Sequence, residues 1–353
     1  MHLAAVLKAR SRACAGLYLA ITRRCPLSCA HCCSDSSMQS EEHSEEMFSR
    51  FVSTMSCDNR PDYFLITGGE PMLRPELVES LANLVHQFGA NVVVGTGAFF
   101  ATSTRIPMRI LRALKKADHI TISVDAFHEK EVPRDRVFAT ARKLLDLGKD
   151  ISFQIVGLNS TDPYLRQITE AIDSTFGQAV PAYIGIIGPK GRAKDLLGFS
   201  EDLRENEGGC LGAAWPVVAY DGTIVACCNQ DVVNGLRAPH LILGNAESDS
   251  WQQVRRRATE SPVLRSIRTF GPIRVAEEHS GSRCAGYCAT CSRLSQNHEL
   301  HSTAELLLSR PEAALIERMS EGAELDANGI NISGYEDWSL RGLSGSKTEW
   351  SST

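Results

Sequence analysis

The chain lacks any apolar run of the roughly 18 residues that a membrane span requires, and residues 1–10 are too short and too weakly apolar for a secretory signal. It also lacks the basic excess of a protein built to hold nucleic-acid backbones: 37 Lys and Arg stand against 42 Asp and Glu, a net charge of −5. These absences lead us to expect a soluble cytoplasmic protein with no DNA and no membrane partner. Cysteine is missing from one long stretch, because none of the 12 lies between Cys57 and Cys210. In a reducing compartment grouped thiols bind metal or do redox chemistry more readily than they form disulfides. Here they form two groups. Cys25, Cys29, Cys32 and Cys33 share one short segment, and Cys210, Cys227, Cys228, Cys284, Cys288 and Cys291 gather in the last third. Two separate thiolate sites joined by a cysteine-free scaffold are the simplest arrangement.

At about 100–200 residues per domain, 353 residues make two domains or one large α/β unit with an appendage, and 43% hydrophobic residues can fill a sizeable core. The cysteine-free stretch alternates short apolar runs with longer amphipathic ones, the pattern of βα units around a parallel sheet. Strands are expected at 17–22, 63–67, 92–96, 119–124, 151–156 and 183–187. Helices are expected at 41–55, 74–88, 107–116, 134–147 and 164–176. Pro75 and Pro107 fall where a first helical turn tolerates proline, and Gly89 and Gly148 where a helix stops. Beyond residue 192 the rhythm changes. Strands at 217–220 and 223–227 flank Asp221-Gly222, a hairpin signal. A helix at 248–259 presents Arg255, Arg256 and Arg257 as a solvated face, a helix covers 302–319, and 344–353 reads as a polar, frayed tail.

Cys25-Pro-Leu-Ser-Cys29-Ala-His-Cys32 follows the first strand with three thiols at gaps of three and two. Soft thiolates select zinc, copper(I) or iron–sulfur clusters, and three ligands leave one metal position open for chemistry. At this motif the sequence resembles the radical S-adenosylmethionine (radical SAM) superfamily. Further strand ends support the resemblance: Gly68-Gly69-Glu70-Pro71 after the second, Gly95-Thr96-Gly97 at the third, Ser123-Val124-Asp125 at the fourth, and Gly188-Pro189-Lys190-Gly191-Arg192-Ala193 after the sixth. The resemblance covers residues 17–193. It implies a partial (βα)6 barrel and a four-iron four-sulfur cluster on Cys25, Cys29 and Cys32, with S-adenosylmethionine (SAM) on the fourth iron. It also implies a reductant such as flavodoxin or ferredoxin. Gly68 and Gly69, with Glu70 nearby, would hold the methionine amino group, since glycines admit close backbone approach and an ammonium needs acceptors. Ser123 and Asp125 would face the ribose or carboxylate, and His31 the adenine. Arg192 would meet the carboxylate or serve as a structural ion pair. Cys14, Cys33 and Cys57 are expected as buried spare thiols.

The second group resembles the opening of a SPASM or twitch extension, a hairpin-bearing region that supports auxiliary iron–sulfur clusters. On that resemblance residues 1–200 form the radical SAM core, 201–300 a small Cys-rich auxiliary domain, and 301–353 a helical end and tail. A full SPASM domain carries seven cysteines, and this region has six. One auxiliary four-iron cluster on Cys210, Cys227, Cys288 and Cys291 is therefore expected, with Cys284 the rival ligand and zinc the alternative metal. Two thiols remain. Radical epimerases of the superfamily return a hydrogen atom from a free cysteine, so Cys228 or Cys284 is a candidate donor, with plain packing as the other reading. His128 and Glu129 follow the fourth strand and are placed to enter the cavity as acid, base or substrate anchor, or merely to cap the next helix.

The expected function is cleavage of SAM to a 5′-deoxyadenosyl radical that abstracts hydrogen from a peptide or small natural product, leading to epimerisation, dehydrogenation or cross-linking. The 24 residues before Cys25 leave no room for an N-terminal recognition domain, which weighs against a ribosomal-peptide substrate without excluding it, since another chain can supply recognition. A sugar- or nucleoside-directed dehydrogenase, decarboxylase or epimerase is the rival within enzymes. A noncatalytic iron–sulfur or zinc sensor is the rival outside them.

Overall fold

The computed structural model of the protein describes residues 3–103, 105–197, 208–280, 286–296, 298–322 and 339–341. The expectations for Cys284 and for the tail at 344–353 lie outside the described residues.

Six runs rich in Val, Ile and Leu form the parallel strands of the core: β1 (Gly16–Ala20), β2 (Tyr63–Thr67), β3 (Asn91–Thr96), β4 (His119–Ser123), β5 (Asp150–Gly157) and β6 (Ala182–Ile186). Each pairs with its neighbour in chain order, as consecutive βα crossovers dictate. Near-continuous apolar strands suit this place because helices cover the outer face. The short α1 (Leu3–Lys8) precedes the core, and the connections supply α2 (Glu45–Val52), α3 (Pro75–Gln87), α4 (Met108–Lys116), α5 (Arg134–Asp146) and α6 (Pro163–Phe176). The expected helix from residue 41 begins only at Glu45 because the Ser44 side chain caps it, accepting the Met47 N–H. Phe48, Phe51, Phe64 and Phe153 are fully buried between helices and sheet.

After α7 (Ala193–Leu197) the chain returns to the same sheet. β7 (Val217–Val218) lies parallel to β1 on the edge that β2 leaves open. β8 (Thr223–Val225) and β9 (Ile242–Asn245) then continue the sheet antiparallel, with α8 (Gln230–Val233) between them. Hairpin and barrel are thus one hydrogen-bonded sheet. The hairpin strands are shorter than expected: Ala219–Gly222 make the turn, with Gly222 at φ +83°, and the chain leaves β8 before Cys227. The expected arginine helix is α9 (Trp251–Glu260), started by a reciprocal Ser250–Gln253 capping box. Arg255 and Arg256 are exposed on it, while Arg257 reaches back to the Leu243 carbonyl and Asp249.

The C-terminal part carries α10 (Pro262–Ser280), broken at Gly271 with φ +81°, and α11 (Tyr287–Arg293). The helix expected over 302–319 is two, α12 (Leu300–Leu308) and α13 (Pro311–Gly322), because Pro311 cannot continue the first and starts the second instead. β10 (Ser339–Arg341) pairs antiparallel with β6 at the far edge. Among the described residues no helix is long and apolar enough to cross a membrane.

Candidate active site

A parallel sheet sends the C-terminal ends of its strands to one edge, and ligands collect there. At that edge the backbone around the first three cysteines is clamped by the other strand ends. Gly69 N–H donates to the Thr22 carbonyl at 2.7 Å and Glu70 N–H to the Arg24 carbonyl at 2.8 Å. A Cβ on Gly68 would stand 2.2 Å from the Thr22 oxygen, and one on Gly69 would stand 2.3 Å from that of Arg24. The two glycines are therefore required by the chain leading into Cys25, whatever they also do for a ligand. Gly69→Ala should destabilise the protein by about 1–3 kcal/mol, the usual cost of overpacking, since the obstacle is backbone that cannot rotate away; a denaturant melt of the metal-free protein measures it. The segment after β6 clamps from the other side. Gly191 lies at φ +52° with its Cβ position 2.4 Å from the Cys32 oxygen, and Arg192 N–H donates to that oxygen at 2.9 Å. Arg192 Nε donates to the Cys29 carbonyl at 3.1 Å and Nη1 to the Ser36 carbonyl at 2.7 Å, with Asp35 3.3 Å away.

Cys25, Cys29 and Cys32 line a cavity of about 470 Å³ together with Gly68, Ser123 and Asp125. Burial, with the nearby Glu70, Cys29 and Cys32, pushes the Cys25 thiol up to about 12. Burial also opposes the Cys32 thiolate, but the Ser34 hydroxyl, the Ser36 N–H and the Arg192 cation outweigh it and hold Cys32 below its ordinary value. Thiolates gathered this closely are stabilised together by a shared positive centre. Cys33 lies at the same cavity but is exposed, as is Cys57; of the three expected spare thiols only Cys14 is buried.

Glu70 is fully buried, and its carboxylate faces the protein. It accepts from Met72 N–H at 2.9 Å, Thr96 Oγ1 at 2.8 Å and Gly97 N–H at 2.8 Å, tying the end of β2 to the end of β3. Burial raises it to about 7 against those bonds. Asp125 is likewise buried and accepts from the backbone N–H groups of Phe127 and His128 and from His128 Nδ1 at 2.7 Å. His128 is raised to about 10: burial disfavours its cation, but hydrogen bonds to Asp125 and Cys29 prevail. His31 is lowered to about 4 by burial, and its ring stacks on Phe127 with centroids 4.6 Å apart. Glu129 does not enter the cavity as acid or base. Arg134 Nε donates to it at 2.5 Å and Tyr164 OH at 2.5 Å, so it secures the start of α5.

Two buried polar atoms in the cavity wall have no hydrogen-bond partner among the described residues, His31 Nδ1 and Arg192 Nη2. An unpaired buried donor costs free energy until a ligand satisfies it. A ligand with a carboxylate for the guanidinium and a heteroaromatic group beside the imidazole meets both, and SAM has each.

The second thiol group completes the wall. Cys210 precedes β7, Cys227 and Cys228 follow β8, and Cys288 and Cys291 stand one turn apart on α11. Burial raises Cys227 well above its ordinary value, and Cys228, Cys210, Cys288 and Cys291 raise it further. Cys210 is pushed to about 11 by burial and Cys288, and Cys291 is raised by burial, Cys210 and Cys288. The Cys228 sulfur accepts Arg10 Nη2 at 3.1 Å. That guanidinium lies over the rings of Tyr18 and Trp215, 5.1 and 4.7 Å from their centroids. A further cavity of about 330 Å³, floored by Leu3, Val6 and Leu7 of α1, shares Gly68, Gly95, Gln154 and Cys228 with the first. Apart from Glu129, the structure thus brings the expected site residues among those described to this one region, with Cys291 set behind the wall. Arg10 and His240, which lies beside Cys291, were not apparent from the sequence, since neither belongs to a spaced motif.

Residues 19–172 match the model of the Radical SAM superfamily. Among curated proteins the chain is similar to YydG of Bacillus subtilis strain 168, a protein named for peptide biosynthesis, with 22% identity over 218 residues, 59% of this chain and 67% of YydG. Among solved structures it is similar to SuiB of Streptococcus suis bound to precursor peptide SuiA, with a TM-score of 0.54 and 14% identity over 84% of this chain and 76% of that one. It is also similar to anSMEcpe with bound AdoMet and Cp18Cys peptide, with a TM-score of 0.51 and 14% identity over 86% of this chain and 98% of that one. At such identities the solved structures show a shared fold.

Proposed function

The chain belongs to the radical SAM superfamily of enzymes, and on that basis we propose that it tailors a peptide by epimerisation, with Cys228 as the hydrogen-atom donor. The peptide reading is supported by the likeness to YydG and by the fold shared with the peptide-bound SuiB and anSMEcpe structures. A four-iron four-sulfur cluster on Cys25, Cys29 and Cys32 supplies, with bound SAM, the carbon radical that takes hydrogen from an unactivated C–H bond. Arg192 Nη2 holds the carboxylate of SAM, Gly68 and Gly69 admit its amino group, and Ser123, Asp125 and His31 line the nucleoside side. Cys210, Cys227, Cys288 and Cys291 hold one auxiliary cluster in a region spanning about 201–300, and a flavodoxin or ferredoxin is the electron source.

The observation that carries the epimerase reading is the divergence of two adjacent cysteines. Both stand among the other thiols, but Cys227 lines the larger cavity while Cys228 lines both cavities and accepts Arg10 N–H. Accepting Arg10 N–H occupies a sulfur lone pair, and the S–H bond of the thiol form is separate from it. When a substrate radical stands in the cavity, the Cys228 S–H bond breaks and a C–H bond forms on the face opposite the one abstracted. The resulting sulfur radical is restored to the thiol by one electron from the reductant and one proton. The apolar floor of α1 excludes water that would otherwise compete at this step.

Turnover in D2O of precursor peptides encoded beside the gene tests the reading. The expected product carries one solvent deuterium at an inverted carbon, and Cys228→Ala still forms 5′-deoxyadenosine but no deuterated epimer. Loss of two mass units would instead establish an oxidation and overturn the assignment. The same products would distinguish a sugar- or nucleoside-directed enzyme.

A further inference from the structure

His240 lies outside every motif considered above. It sits on the turn Pro239–Leu241 that leads into β9, and its side chain reaches from the hairpin to α11. Nε2 is 3.6 Å from Cys291 Sγ, within hydrogen-bond range for sulfur, and Nδ1 is 2.5 Å from Ser295 Oγ. Ser295 lies four residues after Cys291, one helical turn on, so the two side chains bracket a single imidazole.

The hydroxyl bears on which ring nitrogen carries the hydrogen. The backbone N–H of His240 donates to Ser295 Oγ at 3.3 Å and uses one of its lone pairs. The Ser295 O–H hydrogen is then available to Nδ1, and a neutral ring that accepts at Nδ1 carries its hydrogen on Nε2, toward the sulfur. A protonated ring would present the same hydrogen, so the contact does not depend on the charge of His240. A ring held from two sides in this way is how ligand-supporting groups around metal centres are usually oriented.

We infer that His240 is a positioning residue of the auxiliary site: its Nε2–H donates to the Cys291 sulfur and raises the reduction potential of the cluster that Cys291 helps to hold. This rests on the auxiliary-cluster reading above. The physical reason is that each electron added to a cluster increases negative charge on its sulfurs, and an N–H dipole aimed at one of them stabilises the reduced form more than the oxidised form. Ser295 acts through His240 by fixing the tautomer and the ring plane.

The full-length Cys25→Ala/Cys29→Ala/Cys32→Ala protein isolates the second site, and an anaerobic iron count followed by an EPR-monitored redox titration reads it without any turnover. The count is expected to be about four irons, as for a single four-iron cluster. Adding His240→Phe is expected to lower the one-electron reduction constant about tenfold, or about 59 mV. His240→Gln, which retains a side-chain N–H, should recover part of the shift. An unchanged midpoint in His240→Phe with iron retained overturns the role of His240 and leaves the auxiliary cluster standing. No iron in the triple variant overturns the auxiliary cluster and this inference with it. If His240→Phe fails to hold iron, Ser295→Ala carries the test: a lowered midpoint supports the inference and a wild-type midpoint overturns it.

Discussion

Cys29→Ala should yield no detectable 5′-deoxyadenosine when the reconstituted protein is given SAM and dithionite, whereas Cys57→Ala should match wild type. Cys29 is the middle one of the three proposed ligands and the buried one, and its sulfur is also the one that His128 bonds. On the proposed ligand set, removing it would leave two thiolates for a cluster that needs three, so the loss would fall on formation of the site itself. Cys57 is exposed and does not line the cavity, which makes it a control for the loss of a thiol as such. Chromatography of the nucleoside products decides the matter. Cleavage by Cys29→Ala within tenfold of wild type would remove Cys25, Cys29 and Cys32 as the ligand set.

Asp125→Ala should cost the cluster-free protein about 3–5 kcal/mol at neutral pH, the usual penalty for leaving one partner of a buried ion pair alone. Asp125 is fully buried, lies 2.7 Å from His128 Nδ1, and also receives two backbone N–H groups. The pH dependence identifies the cause. His128 is raised from 6.5 to about 10, so the folded state holds a proton that the unfolded chain releases near 6.5. The stabilisation from the pair is therefore complete below 6.5 and falls as pH rises through about 10. Asp125 is held below its ordinary value, although burial opposes this, because His128 bonds and neutralises it. Its part is thus present above 3.8 and is lost as pH falls through its lowered value. Urea melts of wild type and Asp125→Ala should differ most from about pH 4 to pH 6.5 and converge toward pH 10. A difference that stays constant across that range would show packing, and not the ion pair, to be the source.

The parts of the fold set by neighbouring residues were legible. The six parallel strands and their helices follow from apolar periodicity punctuated by Pro75, Gly89 and Gly148, and the largest shift of helix ends is at α2, which the Ser44 cap starts late and which stops at Val52. Gly68, Gly69 and Gly191 also stand out as a pattern, but their common task, making room for the backbone of the cysteine loop, needs atoms from strands far apart in the chain. Likewise Glu129 and His128 read as an equivalent pair after β4. Arg134 and Tyr164 draw the first away from the cavity, while Asp125 and Cys29 hold the second in it.

By itself the sequence determined the spacing of Cys25, Cys29 and Cys32 and the succession of motifs at strand ends, because both are properties of adjacent residues and of a strand period that needs no partner to be recognised. Only the tertiary structure decided that the hairpin of β7 and β8 extends the barrel sheet, and that Cys227 and Cys228, neighbours in the chain, serve different surroundings. The physical reason is distance along the chain. Arg10 lies 218 positions from Cys228, and no local pattern records which side chain such a partner will meet.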